Sequence, residues 1–91
     1  MKVRLITNFS FVTGSGGEYS APASVATVGD LLAHVGKQIE FVFMDAAGKN
    51  LRKDIELELN GKTIWFYPDG LQTKLKEDDC VDITLTPLGG G

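Results

Sequence analysis

The chain has 91 residues and a mass of 9.8 kDa, which suits one domain near the lower size limit for folding around a single hydrophobic core. Hydrophobic residues make up 43% of the sequence and charged residues 23%, a composition typical of globular proteins and not of disordered chains. The net charge of −3 argues against nucleic acid and anionic membrane surfaces as partners.

Two alternating segments open the sequence. Residues 2–12 alternate between apolar and polar side chains, which predicts a strand with one buried face. After the glycine-rich segment 14–17, a second alternating run places four side chains on one side: Tyr19, Ala21, Ala23 and Val25. Segment 14–17 could cradle a phosphate, but it lacks the consecutive Gly, Lys and Ser or Thr of a phosphate-binding loop and joins two strands, so a hairpin turn is favoured.

A helix is predicted next. Thr27 and Asp30 have the spacing of a capping box, in which each side chain bonds the backbone of the other residue. The following apolar residues recur at helical spacing: Val28, Leu31, Leu32, Val35 and Ile39. Gly36 lies inside this apolar stripe, where it would let another segment approach the helix closely.

Three more strands are predicted after the helix. Residues 55–59 alternate up to Asn60–Gly61, a strong hairpin signal, and the return strand is predicted over residues 62–67. The final strand directs Val81, Ile83 and Leu85 inward. The order strand, strand, helix, strand, strand, strand predicts a single α+β domain whose helix covers one face of the sheet.

The aromatic run in the predicted return strand leaves two alternatives open. In a strand Phe66 would share a face with Ile64, and Trp65 and Tyr67 would point to the opposite face. Either residues 41–54 cover that second face, or Trp65 and Tyr67 form a contact patch for a partner.

Side chains able to perform catalysis are scarce. His34 has no arrangement of nucleophile and acid around it in the sequence, and acidic neighbours of Cys80 disfavour a reactive thiolate. Cys80 and His34 are also too few ligands for a structural zinc site, so no metal is expected. Without a signal peptide or an apolar run of about 20 residues, we expect a cytoplasmic protein.

The glycines at positions 89–91 are the unusual feature, because ordering glycine costs the most backbone entropy and burying it gains little. They are either a frayed terminus or a narrow segment that threads into another protein. From Pro87 to Gly91 the chain could extend roughly 15 Å at about 3.3 Å per residue. In the second case the terminal carboxylate would itself be the reacting group.

The carboxyl-terminal 40 residues resemble the MoaD/ThiS sulfur-carrier family. The resemblance rests on Asn60–Gly61, the segment 70–76, the segment 78–83 and Pro87–Gly90, with a helix start similar to Thr27–Leu32. It implies a ubiquitin-like β-grasp, with a mixed sheet of four to five strands packed on one main helix. The domain would span residues 1–87, followed by a flexible tail at residues 88–91. The family usually has glycine where this chain has Asp78, so we expect a turn with positive φ there.

The resemblance also implies a mechanism in which this chain is a carrier and not an enzyme. A ubiquitin-activating-like enzyme would use ATP to adenylate the carboxylate of Gly91 or Gly90, and sulfur would convert it to a thiocarboxylate. The large subunit of molybdopterin synthase, or another sulfur-accepting synthase, would receive that sulfur. Pro87, Leu88 and Gly89 would contact these partners, and no cofactor would be bound. A protein modifier conjugated to lysines and an interaction module with an inert tail are the alternatives.

Overall fold

The computed structural model describes residues 1–9, 14–44 and 50–86 of the chain. These residues follow the predicted order of strands and helix. The elements are β1 (Lys2–Thr7), β2 (Glu18–Ser20), α1 (Val28–Ile39), β3 (Ile55–Leu59), β4 (Lys62–Thr63) and β5 (Cys80–Leu85). Short 3-10 turns lie at Ser15–Gly17, Ile64–Phe66 and Gly70–Gln72.

The strands form one mixed sheet in the order β2-β1-β5-β3-β4. β1 and β5 run parallel and pair from Arg4 with Cys80 to Thr7 with Ile83, while the other neighbours are antiparallel. The last strand therefore lies in the middle of the sheet. A mixed five-stranded sheet carrying one helix is the β-grasp architecture predicted from the sequence, which is thereby confirmed.

Helix α1 begins at the predicted capping box. Thr27 Oγ1 accepts a hydrogen bond from the Asp30 amide at 3.1 Å, and Asp30 Oδ2 accepts from the amides of Ala26 and Thr27, each at 3.1 Å. These two backbone donors, Ala26 and then Thr27, hold the pKa of the Asp30 carboxyl below its ordinary value. The helix N-terminus is thus fixed by local bonds that the sequence predicts.

Gly36 has the role in packing that the sequence suggests. A Cβ built at this position would lie 2.5 Å from the carbonyl oxygen of Phe41, closer than any side chain could tolerate. The Phe41 amide donates to the Gly36 carbonyl at 2.9 Å, so the chain turns back directly against the helix. Gly36 therefore allows the segment after α1 to pack on the last helical turn.

The core lies between α1 and one face of the sheet. Val3, Leu5, Val81 and Ile83 from the two central strands are 3% exposed or less, as their alternation predicts. The helix contributes four buried apolar side chains: Val28, Leu31, Leu32 and Val35. Two predictions of inward side chains need correction, since Ala23 is exposed and Leu85 is only half-buried.

The predicted return strand over residues 62–67 is wrong beyond Thr63. The chain enters a 3-10 turn at Ile64, which replaces the two-residue alternation of a strand with about three residues per turn. Ile64 is fully buried, whereas Trp65 is 57% and Phe66 77% exposed. Phe66 therefore does not share a buried face with Ile64, and Trp65 and Tyr67 do not form one outward face.

Candidate functional site

The predicted reactive segment, Pro87–Gly91, lies outside the described residues, as does the predicted boundary between domain and tail. The structure does describe the end of β5 from which this segment leaves. We call Leu85 and Thr86, with the residues that bond them, the Leu85 end. The opposite end, where Asp79 leads into Cys80, is called the Cys80 end.

Asn8 holds the backbone of Leu85 at the Leu85 end. The Leu85 amide donates to Asn8 Oδ1 at 2.8 Å, and Asn8 Nδ2 donates to the Leu85 carbonyl at 2.9 Å. The primary amide of asparagine offers the same donor and acceptor as a peptide group. Its side chain therefore continues the pairing between β1 and β5 beyond Thr7, where the backbone pairing ends.

Asp54 holds the next residue from the other side. The Thr86 amide donates to the Asp54 carbonyl at 2.7 Å, and the Thr86 hydroxyl contacts the same oxygen at 3.3 Å. The Asp54 carboxylate accepts two hydrogen bonds from Arg52, at 2.8 and 3.1 Å. This bidentate ion pair joins Arg52 and Asp54 just before β3, so the residue that bonds Thr86 is itself held by a second partner.

An apolar groove of about 240 Å³ lies next to Leu85. Its lining consists of four aromatic or aliphatic side chains besides Leu85: Phe9, Ile39, Phe41 and Phe43. The Arg52 guanidinium lies over the Phe41 ring at 4.9 Å from its centre, a cation–π arrangement that places a positive charge beside the groove. The Leu85 end thus combines a hydrogen-bonded backbone with an apolar groove whose lining is buried or half-buried.

At the Cys80 end a second asparagine plays a similar part. Asn60 Oδ1 accepts from the Cys80 amide at 2.9 Å, and Asn60 Nδ2 donates to Asp79 Oδ1 at 3.0 Å. The other carboxylate oxygen of Asp79 accepts from the Lys76 amide at 2.8 Å. Asp78 has φ of +68°, which confirms the positive φ expected there. Cys80 itself is half-buried beside these bonds.

The open face of the sheet carries a stripe of acidic side chains. Glu58 on β3 lies directly opposite Asp82 on β5, and Glu56 is exposed two residues away. Like charges placed opposite each other on neighbouring strands destabilise a sheet. The facing pair of Glu58 and Asp82 is therefore not a source of stability for the sheet.

The predicted aromatic contact residues lie away from the Leu85 end. Trp65 and Tyr67 follow β4, which is separated from β5 by β3. Trp65 is exposed, whereas Tyr67 packs on the core and its hydroxyl donates to the Leu59 carbonyl at 2.6 Å. Of the two, Trp65 alone presents most of its ring to solvent.

Other chemical groups are dispersed. His34 is half-buried on α1, with its ring centre 6.2 Å from that of Tyr19. Within residues 1–9, 14–44 and 50–86, no three His, Cys, Asp or Glu side chains are grouped to hold a metal ion. In the same ranges no helix has the length and apolarity that crossing a membrane requires.

Comparison with known proteins places these features in a family. The sequence model of the ThiS family matches residues 3–91, which is nearly the whole chain and includes the glycines at its end. The chain belongs to the ThiS family. Its resemblance to MoaD/ThiS sulfur carriers is thereby confirmed, and its role is that of a small sulfur-carrier protein. No curated protein matches the sequence.

A similar fold is found among solved structures. A chain in the crystal structure of the Amycolatopsis orientalis BexX/CysO complex aligns with a TM-score of 0.51 and 23% sequence identity. The alignment covers 82% of this chain and 83% of that one. The likeness extends over the β-grasp as a whole.

Sequence reasoning missed Asn8, Arg52 and Asp54 at the Leu85 end. Asn8 and Leu85 are separated by 77 positions, and no local spacing connects them. The only sequence signal at Asn8 is a match to a glycosylation motif, which is unrelated to the bonds that its side chain makes.

Proposed function

We propose that this chain carries sulfur as a thiocarboxylate on the glycine at which the mature chain ends, Gly91 or Gly90. The observation that carries the proposal is the ThiS-family match running through residue 91. The described structure supports it because β5 ends on a fixed backbone, with the glycines only a few residues beyond. A narrow segment that starts from a fixed point suits insertion into a partner's active site.

The chemistry proceeds in two balanced steps. The glycine carboxylate attacks the α-phosphorus of ATP, forming an acyl adenylate and releasing pyrophosphate. Hydrosulfide then attacks the acyl carbon, the carbon–sulfur bond forms, and AMP leaves with the former carboxylate oxygen. The products are the thiocarboxylate, AMP and one proton. Glycine lacks a Cβ, so its carboxylate oxygen can approach ATP and its acyl carbon can be reached by hydrosulfide.

We propose two partner proteins. A ubiquitin-activating-like enzyme supplies the ATP chemistry, and a sulfur-accepting synthase, most simply the large subunit of molybdopterin synthase, takes the sulfur. The acidic stripe of Glu56, Glu58 and Asp82 suits docking onto a basic surface. Exposed Trp65 offers a second contact. The BexX/CysO structure is itself a complex of two proteins, which agrees with a carrier that acts on a partner.

The decisive experiment measures the intact mass of the chain after incubation with the host's adenylating enzyme, ATP and sulfide. We expect one terminal oxygen to be exchanged for sulfur. A matched variant lacking Gly90 and Gly91 should keep its fold, because the last fully buried side chain in the described residues is Ile83, but should not accept sulfur.

The other outcomes separate the alternatives. Conjugates that carry the whole chain on lysines of other proteins would replace the carrier by a protein modifier. An unchanged mass, together with an unchanged ATP–pyrophosphate exchange rate, would overturn both and leave an interaction module. Sulfur transfer to the variant without Gly90 and Gly91 would contradict the assignment of the reacting group.

A further inference from the structure

Both the amide and the carbonyl of Leu85 are bonded to a side chain, whereas at Cys80 the amide is bonded to a side chain and the carbonyl to a backbone amide. From Arg4 to Thr7 the backbone of β1 pairs with β5 as far as Ile83. Two residues later, the amide and the carbonyl of Leu85 are both bonded to the side chain of Asn8. The Thr86 amide is bonded in turn to Asp54. Leu85 is thus the last residue held from the β1 side, and Asn8 alone supplies its two bonds there.

These bonds lie on the surface, where water competes for the same groups. Asn8 is exposed, and its contacts with Leu85 are solvent-accessible. Without the Asn8 amide, water would satisfy the donor and acceptor of Leu85, and the bonds of Thr86 to Asp54 would be left to oppose fraying of the strand end. Going back along β5 from Leu85, the first residue that pairs with both β1 and β3 is Ile83, which is fully buried.

We propose that Asn8 is a positioning residue for the carboxyl-terminal glycines. Its side-chain amide holds the backbone at Leu85, so the carboxyl-terminal segment starts from a fixed position. Fewer residues must then be ordered when the carboxylate enters a partner's site. This inference rests on the proposed function. Asn8 lies 77 positions from Leu85 in the sequence. The inference adds it to the residues that present the reacting group.

The effect on activation follows from entropy. Each residue that frays in the free carrier must be fixed again when the glycines enter an active site, at a backbone entropy cost. A longer free segment also lowers the effective concentration of the carboxylate at that site. Loss of the Asn8 amide should therefore reduce kcat/KM for adenylation while the body of the protein stays folded.

Asn60 provides a matched control, because it makes the same kind of side-chain bond to β5 at the Cys80 end. The test compares Asn8→Ala with Asn60→Gly in the full chain. Glycine at position 60 removes the side-chain bonds but tolerates the φ of +54° found there. Both variants lose exposed hydrogen bonds to the same strand, and glycine also relieves the positive φ at position 60, so Asn60→Gly should lower the Tm by no more than Asn8→Ala does.

Two measurements decide the matter. In ATP–pyrophosphate exchange with the host's adenylating enzyme, Asn8→Ala should lower kcat/KM by about five-fold and Asn60→Gly by less than about two-fold. The heteronuclear ¹⁵N NOE of Leu85 and Thr86, recorded without any enzyme, should fall in Asn8→Ala only. Such a local change would not arise from a general loss of stability.

The failures are distinguishable. Equal exchange rates for the two variants, or unchanged NOE values at Leu85 in Asn8→Ala, would overturn the role of Asn8 even if the wild-type chain accepts sulfur. Absence of exchange with the wild-type chain would overturn the proposed function, and the positioning role with it, whatever the NOE values.

Discussion

The two ends of β5 are both held by an asparagine side chain, yet they differ in how much else holds them. At the Cys80 end, Asp79 and Asn60 bond each other, and the Asp79 carbonyl accepts from the Arg4 amide at 2.8 Å. At the Leu85 end, the bonds come from Asn8 and Asp54, and an apolar groove stays open beside them. One end is held by several interlinked bonds, and at the other the strand ends beside an open groove.

The difference matters for a carrier. A reacting group on a loosely held strand would be hard to place in an active site, and one packed into the core could not leave it. The Leu85 end meets both demands by fixing the backbone of two residues without burying the side chain of Leu85. Local stability therefore changes abruptly along β5, from the buried Val81 and Ile83 to the half-buried Leu85.

The largest effect should come from truncating a leucine at each end. Leu59 pairs with Val81 near the Cys80 end and is 2% exposed, so Leu59→Ala should lower the free energy of unfolding by about 2–5 kcal/mol. Leu85→Ala should lower it by about 1 kcal/mol, because the side chain is only partly removed from water. Urea unfolding with unchanged m-values would measure both. Equal losses would contradict the contrast between the two ends.

A smaller effect, of opposite sign, is expected at Asp78. This residue has φ of +68°, a conformation that costs an L-residue energy and that glycine adopts freely. After subtraction of the extra entropy of glycine in the unfolded chain, Asp78→Gly should raise the free energy of unfolding by about 0.5–1 kcal/mol.

Gly61→Ala serves as the control for the Asp78 substitution. Gly61 has φ of +84° with open space around its Cα, so this change adds the backbone strain without a clash. It should destabilise the protein where Asp78→Gly stabilises it. A loss of stability in Asp78→Gly would mean that the aspartate side chain contributes more than its backbone conformation costs.

The smallest effect concerns the helix start, which is bonded to the segment leading into the Cys80 end. The Val28 amide donates to the Thr73 carbonyl at 3.0 Å, and the Leu75 amide to the Ala26 carbonyl at 2.9 Å. The pKa of Asp30 is lowered in the folded protein, so its contribution to stability is present above the ordinary value of 3.8 and is lost as the pH falls through the folded pKa.

The difference in Tm between the wild type and Asp30→Ala should therefore be constant near neutral pH and shrink below about pH 4. Thermal unfolding followed by circular dichroism from pH 7 to pH 2 would measure it. A difference that persists or widens in acid would show that the carboxylate charge is not what stabilises the helix start. The Leu85 end should not respond to this substitution.

Features set by neighbouring residues were predictable from the sequence. The capping box of Thr27 and Asp30, the apolar stripe of α1 and the alternation of β5 all follow from spacings of two to four residues. Gly36 was recognised for the same reason, because a glycine within an apolar stripe indicates a close approach. The mixed sheet of four to five strands on one helix followed from the family resemblance, and the five-stranded sheet of the structure confirms it.

Features that depend on distant contacts were not predictable. Aromatic residues favour strands, so residues 64–67 gave a strand signal, yet Ile64 turns into the core and Tyr67 bonds the Leu59 carbonyl. The Leu85 end depends on partners 77 and 32 positions away in sequence. No pattern among residues close together in the sequence could reveal those pairings. The glycines at positions 89–91 were the local sequence feature that indicated a functional site.

The central position of β5 has a consequence for synthesis of the protein. β1 and β3 lie on either side of it, so neither strand has its inner neighbour until residues 80–85 have left the ribosome. Until then their edges stay unpaired, and unpaired edges are where nascent chains associate wrongly. The strand that closes the sheet is also the one that leads into the glycines, so the sheet is completed only once the strand next to them has been made.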